Sequence, residues 1–258
     1  MKRTLSPILL SLALGSAPLL RAEEAPDLPL SPSCRAPLSD IAQPAPLPHT
    51  AAALRSERTM RVMAIGSSST EGLGASSPAK TYPAQLETIL EQTFKNLDVV
   101  ITNRGVSGEL AAATAERLKN DIALDQPDLV LWQVGTNDAL AGVPGEAFKA
   151  TVQSTIRWLK ERRIDTALVG LQYSPRVVQD AHHGAIRRAL REIASAENVL
   201  LVRRFDAMRF VEQAKEGELV SRDGLHQNDL GYRCMAEHVA LAVVVSAFSF
   251  KRLSSTSP

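Results

Sequence analysis

Aromatic residues are scarce in this 258-residue chain, at 4%, which argues against an extensive sugar-stacking platform. Net charge is equally thin. Lys and Arg number 29 against 28 Asp and Glu, interspersed along the chain, so the formal charge is +1. Without a basic excess there is no electrostatic footprint for nucleic acid. No His-Glu-x-x-His occurs, and the rings of the adjacent His182 and His183 would diverge rather than share an ion. No metal site or other cofactor is therefore expected. The C-terminal apolar stretch Val239–Phe250 is too short to span a bilayer and reads instead as a terminal helix packed on the core. No internal repeat is visible, and nothing in the sequence speaks to oligomeric state.

What is present is the composition of an ordinary globular protein, 45% hydrophobic and 22% charged. The length suits a single α/β domain with one substantial core. Lys2 and Arg3, the apolar Leu5–Leu20, and Ala22 before Glu23-Glu24 have the layout of a secretory signal peptide, expected over residues 1–22. The exported chain would then be periplasmic or secreted, with no stable membrane insertion after cleavage. In that setting the two cysteines, Cys34 and Cys234, are a candidate disulfide tying the leading segment to the last helix.

Residues 23–58 form a distinct Pro-rich leader, with seven of the 15 prolines between Pro26 and Pro48. That density predicts an extended linker or strap across the surface, without a helix or central strand. The domain proper is expected over 59–250, with a tail at 251–258. Within it, short runs rich in Val, Ile and Leu at Arg61–Ile65, Asp98–Thr102, Asp128–Val134, Thr166–Leu171 and Val199–Arg204 alternate with segments of helical periodicity. Leu86, Ile89, Leu90 and Phe94 make one apolar face. Val152, Ile156 and Leu159 make another, and Ile186, Leu190 and Ile193 a third. The pattern predicts a three-layer αβα sandwich with a five-stranded parallel sheet, whose ligands bind at the carboxyl ends of the strands.

Four segments at those ends carry chemistry. The first strand runs into Gly66-Ser67-Ser68-Ser69-Thr70, a turn crowded with hydroxyls. It is not a Gly-x-Ser-x-Gly elbow, because Thr70 stands where the second glycine belongs, and no Gly-Lys-Ser/Thr follows. The second strand ends in Asn103-Arg104-Gly105-Val106-Ser107-Gly108, a turn able to aim a backbone N–H into a cleft. The third ends in Gly135-Thr136-Asn137-Asp138, where Asn137 serves either as a local cap or as an amide donor to a developing oxyanion. Near the C-terminus, Asp223-Gly224-Leu225-His226 puts a carboxylate and an imidazole on one loop. There the carboxylate can hold one ring nitrogen while the other accepts a proton.

In this order and context the four blocks resemble the SGNH hydrolases, also called GDSL-like lipases and esterases, over roughly residues 60–248. The resemblance implies the flavodoxin-like fold of that family. It also implies Ser68 as nucleophile with Asp223 and His226, and an oxyanion hole from Ser68, Gly105 and Asn137. The implied activity is hydrolysis of small-acyl carboxylic esters, O-acetylated glycans among them. Lysophospholipase, thioesterase and O-acyltransferase activities belong to the same fold, and a non-catalytic glycan-binding protein is the alternative of another class. One departure matters: Ser67 stands where the family usually has aspartate. This leaves open how the nucleophile turn is braced and which of three adjacent serines attacks, although register favours Ser68.

Overall fold

Six strands build the sheet: β1 (Ala42–Gln43), β2 (Thr59–Gly66), β3 (Asp98–Gly105), β4 (Leu129–Gln133), β5 (Asp165–Val169) and β6 (Leu200–Val202). They lie in a computed structural model that describes residues 26–56, 59–214 and 218–249. The expected signal segment and the tail at 251–258 fall outside these residues. The spatial order is β1-β6-β5-β4-β2-β3, and every pairing is parallel except that of β1 with β6. The order reverses around β2, the first strand of the parallel set, which opens a crevice at its carboxyl end.

Alternation along the central strands divides the core into two layers. Met60, Val62, Ala64, Leu129 and Leu131 face one side, against the helices Pro48–Arg55, Tyr82–Thr93 and Asp229–Ser249. Met63, Ile65, Val130 and Trp132 face the other, against Ala111–Asp125, Gly145–Glu161 and His183–Glu197. The three apolar faces read from helical periodicity all point into these layers. The terminal helix extends further back than the apolar run alone suggested, over 21 residues from Asp229. At the open edge, carboxylates from Tyr82–Thr93 cap β3 amides: Glu87 accepts from Ile101 N–H at 2.8 Å and Glu91 from Val99 N–H at 3.3 Å. An edge occupied in this way is a poor template for another strand.

The expectation of five strands is corrected to six, in a mixed rather than wholly parallel sheet. The additional strand comes from the leader, where Ala42 pairs with Val202 and Gln43 with Leu201. Two residues are too few to show a period in sequence. Their place at the sheet edge tolerates Pro44 immediately after them. The same segment also holds helices, against expectation, at Leu38–Ile41 and Pro48–Arg55. Pro48 sits at the first helical position, where a missing N–H costs nothing. The buried carboxylate of Asp165, at the start of β5, accepts Thr50 N–H at 2.8 Å and so serves that helix from a distance. The leader is pinned to the terminal helix by the Cys34–Cys234 disulfide, by Ser31 on Glu237 at 2.8 Å, and by His238 Nε2–H on Cys34 O at 2.7 Å. Burial lowers the pKa of His238, which favours the neutral ring this last bond uses.

Candidate active site

The carboxyl end of β2 passes through Gly66 and Ser67 into the single helical turn Ser68–Glu71. This turn is braced from β4. Gln133 Oε1 accepts Ser67 N–H at 2.9 Å, Ser67 Oγ–H at 3.1 Å and Thr70 Oγ1–H at 3.3 Å. A neutral amide oxygen thus holds the turn in which Ser67 replaces the family's aspartate. Ser69 is held too: its hydroxyl donates to Gln172 Oε1 at 3.4 Å and accepts from Arg204 Nη2 at 3.0 Å. The three serines are therefore sorted by their partners, and Ser68 is the one whose hydroxyl meets an imidazole.

That imidazole belongs to His226, on a tight loop closed by Ser221 N–H to His226 O at 2.7 Å and by the Val220–Gln227 bridge. Gly224, at φ +69°, turns the chain back. Asp223 Oδ1 accepts the N–H groups of Leu225 at 2.9 Å and His226 at 3.0 Å, while Oδ2 accepts His226 Nδ1–H at 2.5 Å. With Nδ1 so committed, Nε2 carries the lone pair, and it lies 3.1 Å from Ser68 Oγ. Partial burial pushes the Asp223 carboxyl up, but the bonds from Leu225 and His226 outweigh it and hold the group below the usual carboxylate range. Asp223 therefore stays ionised beside the ring, as a group that orients an imidazole must.

On the facing side, Asn137 opens the chain after β4. Its Nδ2 donates one hydrogen to Glu109 O at 2.8 Å and keeps the second. Asp138 is buried and accepts Ala111 N–H at 2.9 Å, seating the helix that follows β3. Burial raises its pKa, against the lowering effect of the backbone N–H groups it accepts.

The expectation for Gly105 needs correction. Its N–H donates to Asn103 Oδ1 at 2.9 Å, and a Cβ there would lie 2.0 Å from Glu71 N. Gly105 lets β3 pack against the Ser68–Glu71 turn, and its donor is already used. Gly108 has the complementary properties. It sits at φ +82° with open space where a Cβ would point, and its N–H has no partner among the described residues. The neighbouring N–H groups are taken: Ser107 donates to Glu71 Oε2 at 2.9 Å and Glu109 to Val106 O at 3.3 Å. Because Glu109 O accepts one Asn137 Nδ2 hydrogen, this turn is tied to the amide whose second hydrogen stays free. Gly108 was visible in the same motif, three positions after the residue first chosen.

The structure also adds residues that sequence reasoning missed. Gln133 ends β4 and Gln172 lies three residues past β5; both are buried polar side chains beside apolar runs, and that contrast was the available signal. Arg204 and Glu71 carried none. Tyr173 packs edge-on against Phe205 with ring centroids 5.1 Å apart, and His183 stacks on the same ring at 5.6 Å, while His182 is exposed.

Comparison with known proteins finds esterases among the relatives and the solved structures. The acetylxylan esterase of Xylanibacter ruminicola is 25% identical over 210 residues, 72% of this chain and 44% of that one. The arylesterase of Vibrio mimicus is 27% identical over 97 residues, 37% of this chain and 47% of that one. The chain thus spans less than half the length of these curated relatives. Among solved structures, a two-domain esterase (CEX) active on acetylated mannans superposes with a TM-score of 0.68 at 19% identity, covering 86% of this chain and 59% of the other, and so shares its fold. A family model described as the non-GDSL lipase-like family matches residues 33–248, leader strand included. By that match the chain belongs to the non-GDSL lipase-like family.

Proposed function

We propose that this protein is a serine ester hydrolase that removes short acyl groups, acetyl above all, from glycans, with Ser68, His226 and Asp223 as its catalytic residues. The observation that carries the reading is the 3.1 Å contact between His226 Nε2 and Ser68 Oγ, with Asp223 on the opposite ring nitrogen. In the first half-reaction His226 takes the Ser68 proton as the oxygen attacks the ester carbonyl. Asp223 stabilises the imidazolium. The tetrahedral oxyanion is received by the N–H groups of Ser68 and Gly108 and by the free amide hydrogen of Asn137. Collapse expels the sugar alcohol, which takes the proton from His226. Water, deprotonated by the same imidazole, then releases the acid and restores Ser68. The glycan assignment is supported by the acetylxylan and acetyl-mannan esterases among the relatives. Export through the N-terminal segment is supported by the Cys34–Cys234 bond, since disulfides persist in oxidising compartments.

The test is acid release from p-nitrophenyl acetate and from acetylated xylo- and manno-oligosaccharides, together with labelling by a fluorophosphonate. Turnover on acetyl esters and loss of labelling in Ser68→Ala are expected. Labelling that persists in Ser68→Ala would transfer the nucleophile to Ser67 or Ser69. A folded protein without turnover would make this a binding module.

A further inference from the structure

Arg204 opens the helix after β6, and its side chain is 2% exposed in the interior beneath the nucleophile turn. Among the described residues no carboxylate pairs with it; the ionisable groups that face it are the phenols of Tyr82 and Tyr232. Burial lowers its pKa to about 10, so it is cationic at neutral pH. Its Nε and Nη1 have no hydrogen-bond partner among the described residues. A buried, uncompensated cation costs several kcal/mol, as an order of magnitude. A leucine or methionine would fill such a site with less penalty.

The remaining nitrogen shows what the cation contributes. Nη2 donates to Ser69 Oγ at 3.0 Å and to Gln227 Oε1 at 2.7 Å. Ser69 directly follows Ser68, and Gln227 directly follows His226. The Ser69 tether runs onward in one donor direction: Ser69 Oγ–H to Gln172 Oε1 at 3.4 Å, then Gln172 Nε2–H to Leu225 O at 3.0 Å, the residue preceding His226. Gln227 is itself fully buried and donates to Gly231 O at 3.0 Å, which anchors the arrangement in the terminal helix. One guanidinium thus grips the chain on both sides of the gap across which the proton passes.

We propose that Arg204 is a positioning residue that sets the separation of Ser68 from His226 by tethering the residue after each. This rests on the catalytic reading above. A misplacement of about 1 Å costs on the order of 10²-fold in rate. Arg204→Met keeps the length and removes both donors and charge. It is expected to lower kcat on p-nitrophenyl acetate by about 10²-fold, with KM held within about twofold. Fluorophosphonate labelling of Ser68 should slow in parallel. Arg204→Lys, which retains the charge and a donor, should recover about tenfold of the loss. Rates are expressed per active site titrated, so a smaller folded fraction does not register. An Arg204→Met enzyme with the parent kcat per site overturns the inference, as does a loss that falls on KM alone. Should Arg204→Met fail to fold, Ser69→Ala and Gln227→Leu each sever one tether, and unchanged kcat in both overturns it equally. Ser68→Ala is assayed alongside. A parent enzyme that turns over while Ser68→Ala does not upholds the catalytic reading whatever Arg204 does, and a parent without turnover sinks both.

Discussion

The two halves of the site are built in opposite ways. The Asp223–His226 half is made by its own loop: carboxylate and imidazole are three residues apart, the amides that hold the carboxylate are those of Leu225 and His226, and Gly224 makes the turn. The Ser68 half is made by distant chain. Gln133, Gln172, Arg204 and Asn103 reach it from four other segments, and most of those contacts are buried. Asp223, 45% exposed at its side chain, is held below the ordinary carboxylate range by local hydrogen bonds. Asp138, buried on the other side, is held above it by desolvation. A local construction tolerates solvent; a long-range one needs a dry interior where water does not compete for the amides that hold it.

If that contrast is right, damage to the local half should cost chemistry and spare the fold, whereas damage to the distant half should cost both. Asp223→Asn carries the largest expected effect, a fall of about 10⁴-fold in kcat from the wrong imidazole tautomer, with an unchanged thermal midpoint. A simultaneous collapse of stability would show the loop to be structurally coupled after all. Cys34→Ser combined with Cys234→Ser should lose about 2–5 kcal/mol in denaturant unfolding through the long loop released, with kcat nearly unaltered. Asn137→Ala is expected to lower kcat by about 10²–10³-fold, and somewhat to destabilise the Glu109 turn it holds. Gln133→Leu should cost about 1–3 kcal/mol by stranding the Ser67 N–H and two hydroxyls, along with part of the activity. Full activity there would mean that the brace is dispensable.

The smallest effect is the pH dependence of Asp138→Asn. A carboxyl whose pKa is raised by folding stabilises the native state at low pH and withdraws that contribution as pH rises through the folded value. The variant should therefore gain thermal midpoint relative to the parent on going from acid to neutral pH. A difference that stays flat would mean that Asp138 does not titrate upward.

The same contrast explains how much could be read in advance. Asp223 and His226 were legible because the chemistry that joins them lies within one short segment. Ser68 was legible in register, but its choice over Ser67 and Ser69 depended on Gln133 and Gln172, more than sixty and a hundred residues away. Gly105 was misassigned because a glycine required for close packing and a glycine required at a turn look identical in sequence. The leader was read as a strap. Its proline density hid a two-residue strand and an eight-residue helix whose prolines occupy positions that tolerate them. Arg204 left no mark at all, since an arginine after a strand is ordinarily a surface residue.

By itself the amino-acid order determined the layered α/β architecture, the strands of the parallel set, the pairing of the two cysteines and the order of the four chemical blocks. Hydrophobic period and local spacing suffice for the elements and the blocks, each a property of a few neighbouring residues, and a chain with two cysteines offers a single intrachain pairing. Only the tertiary structure decided which serine faces the imidazole, which backbone N–H remains free, and what an unpaired buried cation holds in place. Those outcomes depend on which polar groups are left without water, and burial is a property of the whole fold.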